Sequence, residues 1–330
     1  MTGGEAGPRR VGVDLAGRRL DAAVRALFET SWGQARRWVE GGKVFVDGEA
    51  ALDCGSTVRQ GAEVALRLDA PRPRTARAVD ESMIVRLDRH VLVVDKPSGV
   101  STVPHDEGET GSLFVELRRW LARRRGGAGD AGRRSGLPPL FVVHRLDRGT
   151  SGLIVFARSL PSSTALREQF RRHEVHRRYL ALAHGPVADR TFTSHLIVDR
   201  GDGLRGSRER ALRPVQRRNE VTAEKLAVTH VEALERFDAP PVTLLRCRLE
   251  TGRTHQIRIH LSEAGHPLLG ETIYLRRYAG VEVPAPRLML HAAELGFVHP
   301  GSGERLRFDR PLPEDMAATL ERLRRRRGPE

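Results

Sequence analysis

The sequence predicts an α+β protein in two parts: a small N-terminal α+β unit, then a larger domain on a mixed, largely antiparallel sheet. Three observations carry this. The chain has 330 residues, about two domains at ~100–200 residues each, and its 39% apolar content plus 33 glycines is globular composition with mass enough for a real core. Its apolar runs are short and cluster without the regular helical alternation that a Rossmann layer requires. Finally, Pro71-Arg72-Pro73-Arg74 breaks the pattern and reads as a linker, setting 1–78 apart from 79–330.

In the first part, Leu20, Val24 and Leu27 sit at helical spacing. Ser31 reads as the N-cap of a second helix, in which Trp32, Ala35 and Val39 repeat that spacing until Gly41-Gly42 stops it. Lys43 to Val46 then alternates as a strand into the turn Asp47-Gly48, and Glu63 to Leu68 supplies another short strand. Arg36, Arg37 and Lys43 are placed to line one basic edge of this unit.

From Met83 the larger domain begins. Val91 to Val94 reads as a buried strand ending at Lys96-Pro97-Ser98-Gly99, and Leu113 to Leu121 as an amphipathic helix. Residues 126–139 read as a mobile insertion. Its Gly127-Ala-Gly129-Asp-Ala-Gly132 is formally a G-x-G-x-x-G, but it follows a helix and leads to Pro138-Pro139, so it is rejected as a dinucleotide fingerprint. A strand at Leu153 to Ala157, a helix at Thr164 to Arg172 and a strand at Tyr179 to Ala183 come next. A basic, turn-rich segment from Arg205 to Arg218 precedes strands near Val228 to Ala233 and Val242 to Glu250.

Composition narrows the function classes. Fifty-six Lys+Arg against 42 Asp+Glu give a net charge of +14, which favours an anionic partner, with nucleic acid first. Only three of the 56 are lysine, so part of the arginine excess reflects the codon usage of a GC-rich genome. No run approaches the ~18 apolar residues of a membrane helix, and Met1 to Arg10 leads into no secretory core, so a cytoplasmic address is expected. Cys54 and Cys247 are 193 positions apart, which offers neither a disulfide framework nor a cysteine zinc cluster.

Two polar clusters stand out. The first, His144-Arg145-Leu146-Asp147-Arg148-Gly149-Thr150-Ser151-Gly152, lies between Phe141-Val142-Val143 and Leu153-Ile154-Val155-Phe156. A loop held between two buried strands is a rigid mount for catalytic groups, and cations at 145 and 148 favour an ionised Asp147. The same residues also read as a plain turn with solvated arginines. The second cluster is Thr251 to Leu261, where Ile257, Leu261 and Ala264 form an apolar helical face and His255, Arg258 and Ser262 another. A solvated basic face is the ordinary reading of such a helix. Zinc fits poorly, because His255 and His260 are five apart with no acidic residue between them.

The stretches "VLVVDKPSGVSTVP", "HRLDRGTSGLIVFA", "RRYLALAHG", "KLAVTHVEAL", "TGRTHQIRIHLSEAGHPLLGE" and "RLMLHAAELGFVHP" have the order and approximate spacing of the RluA-type pseudouridine synthases, over about residues 83–313. Residues 13–68, with "GGKVFVDG", resemble the S4-type RNA-binding domain, although residues 1–75 carry a net charge of only +2.

The resemblance implies a catalytic domain of the pseudouridine synthase fold that isomerises uridines in structured RNA, ribosomal or transfer. It implies neither metal nor nucleotide cofactor, and a monomer is expected. Asp147 aligns with the catalytic aspartate, Tyr179 with the tyrosine that packs on the target base, and Arg258 with the arginine that pairs with the aspartate. Arg145 aligns with the residue that occupies the space of the displaced nucleotide. Lys96, His255 and Lys225 are the further substrate-binding candidates, and Arg36, Arg37 and Lys43 those of the S4-like unit. Arg177, Glu271 and Leu275 depart from the family's usual lysine, aspartate and glycine, and none is expected to touch the aspartate, tyrosine or arginine. The alternative function is a non-catalytic RNA-binding or ribosome-assembly protein that keeps the fold, against which the intact motif residues argue. DNA binding explains the charge but not the ordered motifs.

Overall fold

The computed structural model describes residues 6–52, 54–70, 79–104, 111–126, 137–201, 203–212, 224–275 and 278–326. The Pro71 to Arg74 linker, the glycine motif at 127–132 and residues 213–218 of the basic segment lie outside the described residues. The chain divides into two compact units, residues 1–74 and 75–330.

The first unit runs β1 (Ala6–Arg10), α1 (Leu20–Leu27), α2 (Trp32–Glu40), β2 (Val44–Val46), β3 (Glu49–Ala50) and β4 (Glu63–Leu66), with antiparallel sheet order β1-β4-β2-β3. Local chemistry accounts for its corners. Ser31 Oγ accepts from Gln34 N at 3.2 Å, capping α2 as expected. Asp47 and Gly48, at φ 50° and 83°, both take the left-handed conformation of the tight hairpin turn between β2 and β3. Leu20, Val24, Ala35, Val39, Val44 and Val64 form one buried core.

The second unit continues with β5 (Ile84–Leu87), β6 (Val91–Lys96), α3 (Leu113–Gly126), β7 (Phe141–Val142), β8 (Ser151–Ala157), α4 (Leu160–Arg171), β9 (His176–His184) and β10 (Arg190–Ile197). It is completed by β11 (Gly206–Ser207), β12 (Lys225–Asp238), β13 (Pro241–Leu249), α5 (Gln256–Glu263), β14 (Leu290–Val298), β15 (Arg305–Asp309) and α6 (Glu314–Arg326). The sheet order is β11-β10-β12-β13-β9-β14-β8-β6-β5, with β15 on β14 and β7 on β8. Among the described pairs only β8 and β14 run parallel, so the sheet is mixed and largely antiparallel.

Strand alternation sorts the side chains onto two faces. Leu92, Val94, Ile154 and Phe156 pack with Leu113, Leu117 and Leu121 of α3 and with Ile257 and Leu261 of α5. Val91, Val93, Leu153 and Val155 pack with Leu166 of α4, and Leu182 and Leu244 with Met316, Leu320 and Leu323 of α6. The sheet is therefore covered on both sides. One close approach requires glycine: at Gly152 (φ 109°), where β8 meets β14, a Cβ would stand 2.3 Å from the Ala292 carbonyl oxygen. The short β7, half-buried, is a weaker mount than the buried strand expected before His144.

Candidate active site

Asp147 sits on the loop from β7 to β8, where contacts from residues 98–102 hold its neighbours. Thr102 Oγ1 donates to the Leu146 carbonyl at 2.8 Å and accepts from Leu146 N at 3.1 Å. Gly99 N donates to the Arg148 carbonyl at 2.8 Å, and Ser98 Oγ to that of Gly149 at 2.7 Å. The carboxylate itself accepts no hydrogen bond among the described residues. Its nearest basic groups are the His255 imidazole, with Nε2 3.9 Å from Oδ1, and the Arg258 guanidinium, with Nη1 4.0 Å from Oδ2, and its side chain is 17% exposed. A pinned backbone thus presents the carboxylate to a cleft of ≈ 420 Å³ lined also by Arg145, Tyr179, Arg253, His255 and Arg258.

Tyr179 is buried on β9, between Cys247 of β13 and Ala292 of β14. Burial raises its pKa, so the phenol stays neutral, and its hydroxyl has no hydrogen-bond partner among the described residues. Arg145 is exposed on the rim.

Arg258 corrects two expectations. Its helix has no solvated basic face, because Gln256, Ile257, Arg258, Ile259, His260 and Leu261 are all buried. Its bidentate partner is Glu271, with Nε to Oε2 at 2.8 Å and Nη2 to Oε1 at 2.6 Å, while the expected pair with Asp147 is present as the longer contact at 4.0 Å. Glu271 therefore touches the arginine it was expected to miss. The same Oε1 accepts from the backbone N–H groups of Thr272 at 3.1 Å and Ile273 at 2.9 Å, fixing the turn that carries Tyr274. Burial by itself would lower the Arg258 pKa, but the Glu271 carboxylate, with Asp147 behind it, more than offsets this and raises it, and the guanidinium in turn holds Glu271 below its ordinary range.

His255 precedes α5 rather than riding its face, with φ 58°. Its Nδ1 lies 2.7 Å from the Tyr274 hydroxyl, and burial pushes its pKa down to about 4, so the imidazole is neutral at pH 7. Lys96 requires a correction as well. It is 0% exposed, and its ammonium donates to the carbonyls of Pro97 (3.0 Å), Val100 (2.9 Å) and Arg148 (3.3 Å), so it braces the loop instead of meeting substrate. Three carbonyls around one compact ammonium is a reason for lysine in an arginine-rich chain. Lys225 is exposed in a separate cleft of ≈ 240 Å³ with Arg205, which shares Gly252, Arg253 and Thr254 with the Asp147 cleft.

Much of the basic charge is locally spent. Arg119 pairs with Glu116, Arg171 and Arg172 with Glu168, and Arg178 with Glu294. In the N-terminal unit Arg36 donates to the buried Asp21 at 3.1 Å, Arg37 donates to Gln34 Oε1 at 2.6 Å from an exposed position, and Lys43 donates to the Ala70 carbonyl. Sequence reading missed Trp32 as a surface group there: it is 44% exposed, with the guanidinium carbons of Arg25 and Arg36 5.1 and 5.9 Å from its ring.

The family model of RNA pseudouridylate synthase matches residues 90–263, a span that contains Asp147, Tyr179 and Arg258. The chain belongs to the RNA pseudouridylate synthase family. It is an RNA pseudouridine synthase, an isomerase. An S4 domain model matches residues 18–64. A ribosomal large subunit pseudouridine synthase D of Pseudomonas aeruginosa is 35% identical over 326 residues, covering 95% of this chain and 94% of that one. One of Xanthomonas campestris pv. campestris is 37% identical over 321 residues, covering 94% and 90%. In fold, the chain is similar to human RNA pseudouridylate synthase domain containing 4, with a TM-score of 0.54 at 22% identity over 74% of this chain and 93% of that one.

The synthase domain carries an acid sensitivity in its histidines. Burial pushes His144 down to about 3, and His255, His260 and His291 to about 4, from an ordinary value of 6.5. Folded-state values below the unfolded ones mean that the unfolded chain binds more protons between pH 6.5 and about 4, so stability falls as pH falls through that window. Each histidine contributes up to ~1.4 kcal/mol per pH unit. Urea titrations at pH 7 and pH 5 should show an unfolding free energy several kcal/mol smaller in acid, and hence a lower midpoint; equal midpoints would refute neutral burial.

Proposed function

We propose that this synthase isomerises uridine in large-subunit ribosomal RNA, with Asp147 as the carboxylate that engages the ribose of an extruded target nucleotide. The observation that carries this is the Asp147 carboxylate itself, held by its backbone and directed into a cleft with no donor among the described residues bonded to it. The substrate class rests on the ribosomal large subunit named for the relatives above.

The reaction breaks the N-glycosidic bond, turns the uracil while it stays bound and rejoins it through carbon 5. Whether Asp147 attacks the sugar or takes a proton from it, it needs a free oxygen beside the ribose. Arg258 biases that carboxylate from 4.0 Å while Glu271 prevents it from collapsing into a direct salt bridge. Tyr179 offers its ring to the uracil. Arg145, on the rim, enters the space the nucleotide vacates, and Lys225, Arg205 and Arg253 take the backbone of the adjoining strand. Extrusion costs a few kcal/mol of stacking, which favours uridines in loops or deformable stems. The protein acts as a cytoplasmic monomer without metal or nucleotide cofactor.

Purified protein should release tritium from carbon-5-labelled uridine in large-subunit ribosomal transcripts, and a deletion strain should lack a pseudouridine in that RNA. No release, or loss confined to transfer RNA, would overturn the substrate assignment.

The S4-like unit, 1–78, makes its own prediction. A protein of residues 79–330 should keep turnover on short substrates and lose affinity for structured RNA. Each phosphate contact removed makes the dependence of log K on log salt shallower by about 0.7–0.9. With Arg36 spent on Asp21, Arg37 and Lys43 give a change of about 1.4–1.8 units. Binding isotherms at several salt concentrations check this; an unchanged slope would withdraw RNA contact from this unit.

A further inference from the structure

We infer that His255 and Asp147 form a two-point clamp for the 2′-hydroxyl of the target nucleotide, so that His255 sets the preference for ribose over deoxyribose at the isomerised position. This rests on Asp147 being the carboxylate that engages the target sugar.

The clamp follows from the hydrogen-bond chemistry of the pair. Tyr274 is buried, and the partner of its hydroxyl among the described residues is His255 Nδ1, at 2.7 Å. If Nδ1 carried the imidazole proton, the Tyr274 O–H would be left without an acceptor and the Nε2 lone pair would face a carboxylate oxygen. Both penalties vanish when Tyr274 donates to Nδ1 and the neutral ring carries its proton on Nε2. The cleft then holds an N–H donor and a carboxylate acceptor side by side.

Their separation is the second observation. Nε2 and Asp147 Oδ1 are 3.9 Å apart, too far for a direct hydrogen bond. One oxygen at ~2.8 Å from each fits between them, with the two contacts meeting at roughly a right angle. A hydroxyl is the group that satisfies both, accepting from Nε2–H while donating to the carboxylate, and the 2′-hydroxyl is the group on the sugar that distinguishes RNA from DNA.

The third observation is that His255 is not free to swing away. Its backbone is left-handed at φ 58°, a conformation costly for a non-glycine residue and kept where the surroundings dictate it. Its carbonyl accepts from Ile259 N at 2.9 Å at the start of α5, and its ring meets that of Tyr274 edge-on at 5.6 Å. Tyr274 in turn rides the turn fixed by Glu271.

The test uses a synthetic hairpin of the mapped large-subunit segment, with uridine or 2′-deoxyuridine at the target position alone. Single-turnover rates are measured for the full-length protein, His255→Ala and Tyr274→Phe, each checked for a cooperative melt. Wild type should prefer the ribose hairpin, and His255→Ala should slow that hairpin by about ten- to a hundredfold while hardly changing the deoxy one, so that discrimination shrinks by the same factor. Tyr274→Phe, which frees the tautomer, should shrink it part of the way. Equal slowing of both hairpins by His255→Ala would overturn the clamp, because a structural role costs both substrates alike. Where the deoxy hairpin does not turn over, the comparison moves to affinities for product hairpins carrying pseudouridine or 2′-deoxypseudouridine, and an unchanged ratio again overturns it. Turnover by Asp147→Asn would instead overturn the underlying assignment.

Discussion

Asp147→Asn is expected to lower turnover by at least about a thousandfold, the scale on which removal of a group acting directly in the chemistry is felt. The fold should not notice. The carboxylate accepts no hydrogen bond among the described residues, the neutral His255 ring and the Arg258 guanidinium stand 3.9 and 4.0 Å away, and the amide fills the same volume. The loop is held by the backbone of Leu146, Arg148 and Gly149, which the substitution leaves alone. Melting temperature and affinity for unmodified RNA should therefore stay close to wild type while tritium release disappears. Residual activity within tenfold of wild type would remove Asp147 from its role.

Glu271→Ala is expected to be the most destabilising single change at the site, at about 3–5 kcal/mol, because it strands the Arg258 guanidinium in a buried position. It also removes the acceptor for the Thr272 and Ile273 N–H groups and so loosens the turn under Tyr274. Arg258→Ala leaves the opposite charge unpaired and should cost a similar amount. The informative variant is the double one, Arg258→Met with Glu271→Leu. Removing both charges should restore much of the stability lost by either single change, since a well-packed apolar pair replaces a buried ion pair at little cost. Its activity should stay low, because Asp147 then lacks the nearby cation. Denaturant midpoints and single-turnover rates on the same four proteins separate the two effects. A double variant that recovered activity along with stability would show that Arg258 serves the fold alone.

What could be read along the chain was local. The Ser31 cap, the Asp47-Gly48 turn and the strands around Val91 to Val94 and Leu153 to Ala157 follow from residues within a few positions of one another, whose φ/ψ demands and alternation do not depend on distant partners. The loop around Asp147 was legible for the same reason, as polar residues between apolar runs. Strands β10, β14 and β15 and helix α6 were not assigned from pattern. Leu290 to Val298 is buried along almost its whole length and shows no alternation, so its polarity does not say which face meets which neighbour.

The sequence by itself determined the α+β class, the mixed and largely antiparallel sheet, the family and the three residues on which the chemistry is proposed to turn. Only the tertiary structure decided whom the buried charges answer to. Arg258 stands 13 positions before Glu271, His255 19 before Tyr274, and Lys96 52 before Arg148, and in each case the partner is delivered by a separate turn of chain. The physical reason is that a buried charge or polar ring must find its complement in space, at about 3 Å and in the right orientation, whatever the spacing along the chain. Read in one dimension, Arg258 belonged to a basic helix face and Lys96 to the substrate. Folded, one is locked to a carboxylate beside the catalytic candidate, and the other holds the loop that carries it.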